Sequence, residues 1–222
     1  MSLAVLWAFG ALTGASMTGE AADGATAAHS DLKGVLKKIQ EHYDQTKTLS
    51  AKFAETLTRP GAPERRRTGM IYFGKPGRLR WEFAPPEAQL IVGDGTTLYS
   101  YDPDLNQVIA TPLSKALQAP GVSAFLLGMG NLALDFDSSM HKAPAGSTLI
   151  ALVLKPKRGG QTIELGIDAK SYDIVTFALT DQLGNRTLLQ FSDIRNNAQL
   201  AAELFKFTVP DGADIVRTEG GR

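Results

Sequence analysis

The stretch Lys75 to Asp102, K-P-G-R-L-R-W-E-F-A-P-P-E-A-Q-L-I-V-G-D-G-T-T-L-Y-S-Y-D, decides the fold of this 222-residue chain. It holds short runs of alternating apolar and polar residues, separated by turn-forming pairs. Successive side chains of a strand point to opposite faces of a sheet. The first run therefore predicts a strand with Leu79, Trp81 and Phe83 on one face and Arg78, Arg80 and Glu82 on the other.

The pair Asp94-Gly95 predicts a tight hairpin inside this stretch. Asp-Gly readily adopts the positive φ angles that short hairpin loops need. The flanking runs, 90–92 and 98–99, supply the two apolar strands. An antiparallel meander is the expected local structure.

Composition bounds the class of protein. With 43% hydrophobic residues and no linker, the chain is expected to form a single domain over residues 30–217. Lysine plus arginine and aspartate plus glutamate both total 23, so the basic excess typical of nucleic-acid binding is missing. The absence of cysteine excludes disulfides, thiol catalysis and cysteine metal sites.

The first residues are typical of an export signal. Residues 1–15 form an apolar run ending in small residues, shorter than the roughly 20 residues of a membrane-spanning helix. We expect a signal peptide over about residues 1–22, with an uncertain cleavage site. One departure is that Lys33 is the first basic residue, so a buried or disordered N-terminal segment is the alternative.

A helix and two groups of strands are expected around the opening stretch. Ser30 or Asp31 is the predicted cap of an amphipathic helix with apolar positions Leu32, Val35, Leu36, Ile39 and Tyr43. Alternation predicts a first strand over residues 49–57 and further strands from residue 148 onward. The total expected is about ten or eleven strands in one strongly curved sheet.

Residues 113–134 are unusually apolar for a connection. They contain a single charged residue, Lys115, among many leucines and small residues. Such a segment is not stable as a solvated loop, so we expect one or two short helices packed over an apolar surface.

Catalytic and metal-binding groups are sparse. The only histidines, His29, His42 and His141, are far apart in the sequence and are expected to be isolated at the surface. Asp102-x-Asp104-x-Asn106 lacks the glycine and final glutamate of a calcium loop, and predicts a turn instead. The arginine run 65–67 is expected to be solvated. We predict no catalytic residue, no metal and no cofactor, and so a binding protein rather than an enzyme.

Several motifs resemble one family. The order K-P-G-R-L-R-W-E, P-P, I-V-x-D-G and Y-D-P-D-L-x-Q-V, dense from 69 to 108, is similar to the periplasmic outer-membrane lipoprotein carrier family, LolA. The motif F-K-F-T-V-P at 205–210 resembles the same family near its C-terminus. The resemblance implies a mainly β fold, in which one curved antiparallel sheet forms an unclosed half-barrel covered on its concave side by helices.

The family also implies a function in the periplasm. The chain would be a monomeric chaperone whose cavity binds the acyl chains of lipoproteins, with segment 113–134 as a movable lid. It would receive lipoproteins from an inner-membrane LolCDE-type transporter and pass them to an outer-membrane LolB-type receptor. The residues expected to line the lipid-binding cavity are Phe53, Leu79, Trp81, Phe83, Ile91, Phe125, Leu126 and Leu127.

The latch that closes the cavity is where this chain departs from the resemblance. In the family an arginine precedes the motif proline and holds the lid through backbone hydrogen bonds, whereas Lys75 stands here. A lysine can reach helix-end carbonyls, but as a point charge without the planar fork of arginine. Lys75 is the predicted latch, with Arg78 and Arg80 as alternates, and an ordinary turn lysine is the competing interpretation.

Two other functions stay open. The same fold can serve as a carrier or sensor for another lipid or amphiphile, because a fold does not fix a function. A lipid hydrolase is a more distant alternative, since it requires a nucleophile and a base that the sequence does not bring together.

Overall fold

The computed structural model describes residues 25–116, 131–141, 147–157 and 161–218, with side chains from residue 32 onward. The first half contains helix α1 (Ala25–Gln45) and strands β1 (Thr48–Thr58), β2 (Arg65–Gly74), β3 (Arg78–Phe83), β4 (Gln89–Asp94), β5 (Thr97–Asp102) and β6 (Gln107–Pro112). Two one-turn helices follow, α2 (Leu113–Ala116) and α3 (Leu132–Asp135). The second half contains β7 (Phe136–His141), β8 (Leu149–Pro156), β9 (Thr162–Asp168), β10 (Ile174–Thr180), β11 (Arg186–Asn196), a 3-10 helix (Ala202–Phe205) and β12 (Asp214–Arg217).

All the described strands belong to one sheet, in the order β12-β6-β5-β4-β3-β2-β1-β11-β10-β9-β8-β7. The order is linear, with β12 and β7 at the edges, so the sheet is curved but unclosed, which confirms the predicted fold class. The described residues form twelve strands rather than ten or eleven. The four-residue β12 also differs from expectation, since it runs parallel to β6 and its side chains are exposed.

Helix α1 covers one face of this sheet. Val35, Ile39 and Tyr43 belong to the same buried cluster as Leu49 of β1 and Phe73 of β2. The predicted apolar stripe is therefore the packed side of the helix. The helix begins at Ala25, several residues before the predicted cap.

The helix-bearing face is continuous across both halves of the sheet. In the register, Phe191 of β11 and Gly69 of β2 lie opposite Phe53 of β1, so the strands on either side of β1 share this face. The buried apolar residues of β8, β9 and β11 join the same cluster, and they are Leu152, Leu154, Ile163, Leu165, Ile167 and Leu189. The result is one long apolar surface rather than two cores.

The opposite face is covered by the C-terminal segment. Arg80, Val92 and Tyr99 are register partners on neighbouring strands and so share this face. The 3-10 helix lies over β3 and β4, and its Phe205 is 3% exposed. Phe207 then stacks on Tyr99 with ring centroids 4.9 Å apart.

The two turns that the sequence singled out are held by aspartate side chains. Asp94 Oδ1 accepts hydrogen bonds from the backbone amides of Thr96 and Thr97, both at 2.8 Å. Within the predicted Asp94-Gly95 pair only Gly95 has a positive φ, at 102°. Asp102 Oδ1 accepts from the amides of Asp104 and Leu105 at 3.0 and 3.2 Å. The Asp102 motif is thus a turn, as predicted.

Candidate functional site

An aromatic cluster forms the centre of the helix-bearing face. The ring of Phe53 meets Trp81 and Phe83 edge-on, with centroid distances of 5.3 and 5.0 Å. Trp81 and Phe83 lie parallel, at an interplanar angle of 2° and a centroid distance of 5.9 Å. Offset-stacked and edge-on pairs are the favoured aromatic geometries.

Gly69 of β2 allows this cluster to form. It lies between Phe53 on β1 and Phe83 on β3, opposite both in the register. A Cβ at this position would lie 1.8 Å from the carbonyl oxygen of Glu82 and 2.7 Å from the Phe53 ring. The missing side chain lets rings from two non-adjacent strands meet above β2.

Five of the predicted cavity residues lie together on this face. Leu79 and Ile91 are 8% and 6% exposed and belong to the same cluster as Phe53 and Phe83, with Trp81 packed against it. The other three predicted residues, Phe125, Leu126 and Leu127, lie outside the described residues. Leu113 and Leu132, on either side of that segment, are both buried.

A buried ion pair, which the sequence reasoning missed, interrupts the apolar face. Arg67 Nε donates to Glu55 Oε2 at 2.5 Å, and the two side chains are 7% and 1% exposed. The Arg67 guanidinium also lies 4.1 Å from the centroid of the Phe83 ring. Burial raises the pKa of Glu55, and the nearby Arg67 charge opposes that shift.

The sequence carried a signal for this pair. Alternation along β1 places Glu55 on the same face as Phe53 and Leu57, and a carboxylate there needs a cation. The expectation of a solvated arginine run was wrong for Arg67, because the register sets it directly opposite Glu55. It holds for Arg66, which is exposed and pairs with Glu64.

Lys75 contacts the C-terminal end of α1. Its Nζ donates a hydrogen bond to the backbone carbonyl of Tyr43, in the last turn of the helix. This carbonyl also accepts from the backbone amide of Thr46 at 3.1 Å, and cations are favoured beside the carbonyls at a helix C-terminus. Burial lowers the pKa of the Lys75 ammonium, while Asp44 opposes the shift. A pocket beside this contact is lined by Tyr43, Thr46, Lys47, Thr48, Leu49, Phe73 and Lys75.

A second set of contacts ties the same helix end to the turn between β9 and β10. His42 Nε2 lies 2.9 Å from Asp173 Oδ1, which also accepts from Asn196 Nδ2 at 2.7 Å. The Tyr43 hydroxyl accepts from the amide of Ile174 at 2.9 Å, and burial raises the pKa of this phenol. The expectation that His42 is isolated at the surface was wrong, since its side chain is 21% exposed and paired.

The two alternate latch residues lie on the other face of β3. The Arg78 guanidinium is 5.2 Å from the ring centroid of Phe205. Arg80 donates from Nη1 to the carbonyl of Leu204 at 3.2 Å and from Nε to Glu82 at 2.5 Å. Both arginines thus contact the C-terminal segment, and Lys75 is the one that contacts α1.

Within the described residues, no group of three or more histidine, aspartate or glutamate side chains is arranged to hold a metal ion. Across the same residues, no helix is long and apolar enough to cross a membrane. The site combines an apolar face, a buried ion pair and polar contacts to the end of α1.

Comparison with solved structures supports the fold. An uncharacterized conserved protein from Thermus thermophilus superposes with a TM-score of 0.55 at 15% identity, over 85% of this chain and 99% of that protein. At this identity the similarity shows the architecture alone.

Sequence comparison identifies the family. The outer-membrane lipoprotein carrier protein of Chromobacterium violaceum is 36% identical, over 82% of this chain and 86% of the relative. The protein of the same name from Methylibium petroleiphilum is 34% identical, over 86% of this chain and 92% of the relative. The model of the family described as outer membrane lipoprotein carrier protein LolA matches residues 44–208. This chain belongs to the LolA family.

Proposed function

We propose that this chain is a periplasmic carrier that binds the acyl chains of lipoproteins against the helix-bearing face and moves them between membranes. The observation that carries the proposal is an apolar sheet face that spans both halves of the sheet and is covered by a helix that polar contacts hold at one end. The carrier names of its relatives support it. A non-enzymatic role agrees with the apolar face and with the names of the relatives.

The lipid-binding wall consists of Phe53, Leu79, Trp81, Phe83 and Ile91, with Phe125, Leu126 and Leu127 as its proposed continuation. Burying one acyl chain of roughly 16 carbons, at about 0.8 kcal/mol per methylene, provides about 12 kcal/mol. Three chains would exceed the practical limit of roughly 20 kcal/mol for non-covalent binding. Cargo must therefore replace contacts that the empty protein makes with itself. The buried wall residues make such contacts in the empty protein, and cargo would take their place.

Helix α1 is the proposed cover that gives way, with Lys75 as its latch. Gln40 of α1 also accepts a hydrogen bond from the amide of Leu132 at 3.1 Å. This contact joins α1 to the end of the 113–134 segment, which we propose as the rest of the lid. Displacement of α1 would then loosen the 113–134 segment, and displacement of the segment would loosen α1.

The direction of transport needs partners on both sides. A bilayer offers acyl chains an equally apolar environment, so hydrophobicity alone does not load the carrier. We propose a LolCDE-type inner-membrane transporter as donor and a LolB-type outer-membrane receptor as acceptor. Residues 1–22 are the proposed signal peptide, and the carrier acts as a monomer.

The test is capture of a lipoprotein by the purified protein. A triacylated lipoprotein should co-purify with it, and the same protein without its acyl chains should not. Leu79→Glu places a charge on the apolar wall and should reduce capture at least tenfold. Leu183→Glu is the matched control, because Leu183 is 80% exposed, and it should capture normally.

Circular dichroism must show that both variants are folded. Equal capture of the acylated and unacylated forms would refute the carrier function. A preference for free lipids or another amphiphile over lipoprotein would redirect it to another cargo.

A further inference from the structure

The indole of Trp81 carries a buried hydrogen-bond donor without a partner. Within the part of the chain that the structure describes, Nε1 is buried and makes no hydrogen bond. Most buried polar groups in proteins are paired, and an unpaired one lowers stability. A donor left unpaired on a binding wall points to a ligand that supplies the acceptor.

The surrounding side chains restrain the indole that carries this donor. Phe53 packs edge-on against the indole, and Phe83 lies parallel to it. Phe83 is itself covered by the Arg67 guanidinium, which Glu55 holds. The indole is therefore clamped within an aromatic layer. A ring held in this way keeps its N–H in one position, which a binding group requires.

We propose that Trp81 Nε1–H donates a hydrogen bond to an ester carbonyl oxygen of a bound acyl chain. This inference rests on the proposed carrier function and deepens it by naming which part of the lipid the wall recognises. An ester carbonyl accepts hydrogen bonds and has no donor of its own, so it complements a lone N–H. A neutral acceptor also fits because the nearby cation, Arg67, is already paired with a carboxylate.

The hydrogen bond gives the wall a property that hydrocarbon contacts lack. Apolar contacts with the chain do not distinguish an acyl ester from an alkyl ether of the same length. A donor that is unpaired in the empty protein distinguishes them, because only the ester satisfies it. Recognition of acyl esters is thus assigned to a single atom of Trp81.

The experiment compares two lipopeptides that differ only in these carbonyls. One is an N-acetylated diacylglyceryl-cysteine peptide, and the other is its dialkyl-ether analogue with equal chain lengths. The wild-type protein should bind the ester about tenfold more tightly, the usual effect of one hydrogen bond to an otherwise unpaired buried group. Trp81→Phe should bind both equally, near the wild-type affinity for the ether.

A second variant separates the N–H from the ring. Replacing Trp81 with benzothienylalanine keeps the bicyclic shape and removes only the donor, so it should also abolish the preference while binding the ether normally. If the wild-type protein binds ester and ether equally, the inference is wrong and the carrier function stands. If it binds neither lipopeptide, both proposals fail. A preference that persists in the benzothienyl variant would also overturn the inference.

Discussion

The two faces of strand β3 are covered in different ways. Leu79, Trp81 and Phe83 lie on the sheet face that α1 covers, and the C-terminal end of α1 is tied to the rest of the protein by Lys75 and His42 through polar contacts. On the opposite face, Arg78 and Arg80 hold the C-terminal segment, whose Phe205 is buried. Both covers use basic side chains, and both bury an aromatic ring, Tyr43 at 2% and Phe205 at 3% exposed, but only α1 lies on the proposed lipid-binding face.

The difference supports the proposal that α1 opens while the C-terminal segment stays in place. Polar contacts to helix-end groups can be exchanged for water at small cost, because each contributes only about 1 kcal/mol net. Withdrawing a buried aromatic ring costs several times more, and only on the proposed lipid-binding face would cargo replace the lost contacts. The contrast therefore favours α1 as the cover that opens and the C-terminal segment as permanent structure.

The largest expected effect comes from the sheet face that the C-terminal segment covers, called here the closed face. Phe205→Ala removes a side chain that packs against Gly74, 3.1 Å from where a Cβ would lie, and beneath Arg78. We expect a loss of about 4 kcal/mol in the free energy of unfolding, measured by urea denaturation. Binding of acylated lipoprotein by the folded variant should be unchanged.

Glu203→Ala is the control, since Glu203 is exposed in the same 3-10 helix and should leave stability within about 0.5 kcal/mol of wild type. If Phe205→Ala weakened cargo binding while leaving stability intact, the closed face would belong to the binding site, and the contrast between the two faces would be lost.

The sequence predicted the faces of the sheet better than their covers. The alternation in 79–83 is a local property, so which side chains share a face follows directly from the strand period. What covers each face depends on long-range contacts. Phe205 lies more than a hundred residues from Arg78, and no periodic pattern links the two.

The candidate site shows the same limit. Lys75 was found because a turn motif marked it, whereas the His42–Asp173 pair joins residues 131 positions apart and carries no motif. Glu55 could have been found, because a carboxylate at an inward strand position needs a cation. Its partner could have been named only with the β1–β2 register, which places Arg67 opposite.

The next largest effect is a loss of stability in acid, caused by Asp173, which pairs with His42 of α1. Burial raises the pKa of Asp173, but hydrogen bonds from His42, Asn196 and Ser171 together outweigh it and hold the pKa below its usual range. A lowered carboxyl pKa stabilises the fold above the unfolded pKa, near 3.9, and that contribution is lost as pH falls through the folded value. Stability should therefore drop below about pH 4.

Asp173→Asn removes this contribution. We expect the free energy of unfolding of the variant to be about 1 to 2 kcal/mol lower at pH 7 and to decline less steeply between pH 5 and 3. Urea denaturation at each pH measures both. Asp211→Asn, at an exposed turn position, should leave the pH profile unchanged. An Asp173→Asn profile parallel to that of wild type would show that the Asp173 contacts do not contribute to the acid response.

The smallest effect tests the latch itself. Lys75→Met keeps the length of the side chain and removes the donor to the Tyr43 carbonyl, so the last turn of α1 should open more often. The lost hydrogen bond lowers the free energy of local opening by about 1 kcal/mol. Amide hydrogen exchange in residues 40–46 should therefore be roughly fivefold faster, with β11 and the C-terminal segment unaffected.

Lys75→Arg should retain protection, because a guanidinium can reach the same carbonyl. Lys47→Met, at an exposed lysine beside the same pocket, is the control and should exchange like wild type. Faster exchange spread evenly over the whole sheet would contradict a local latch, because it would mean that Lys75 stabilises the entire fold rather than the end of α1 alone.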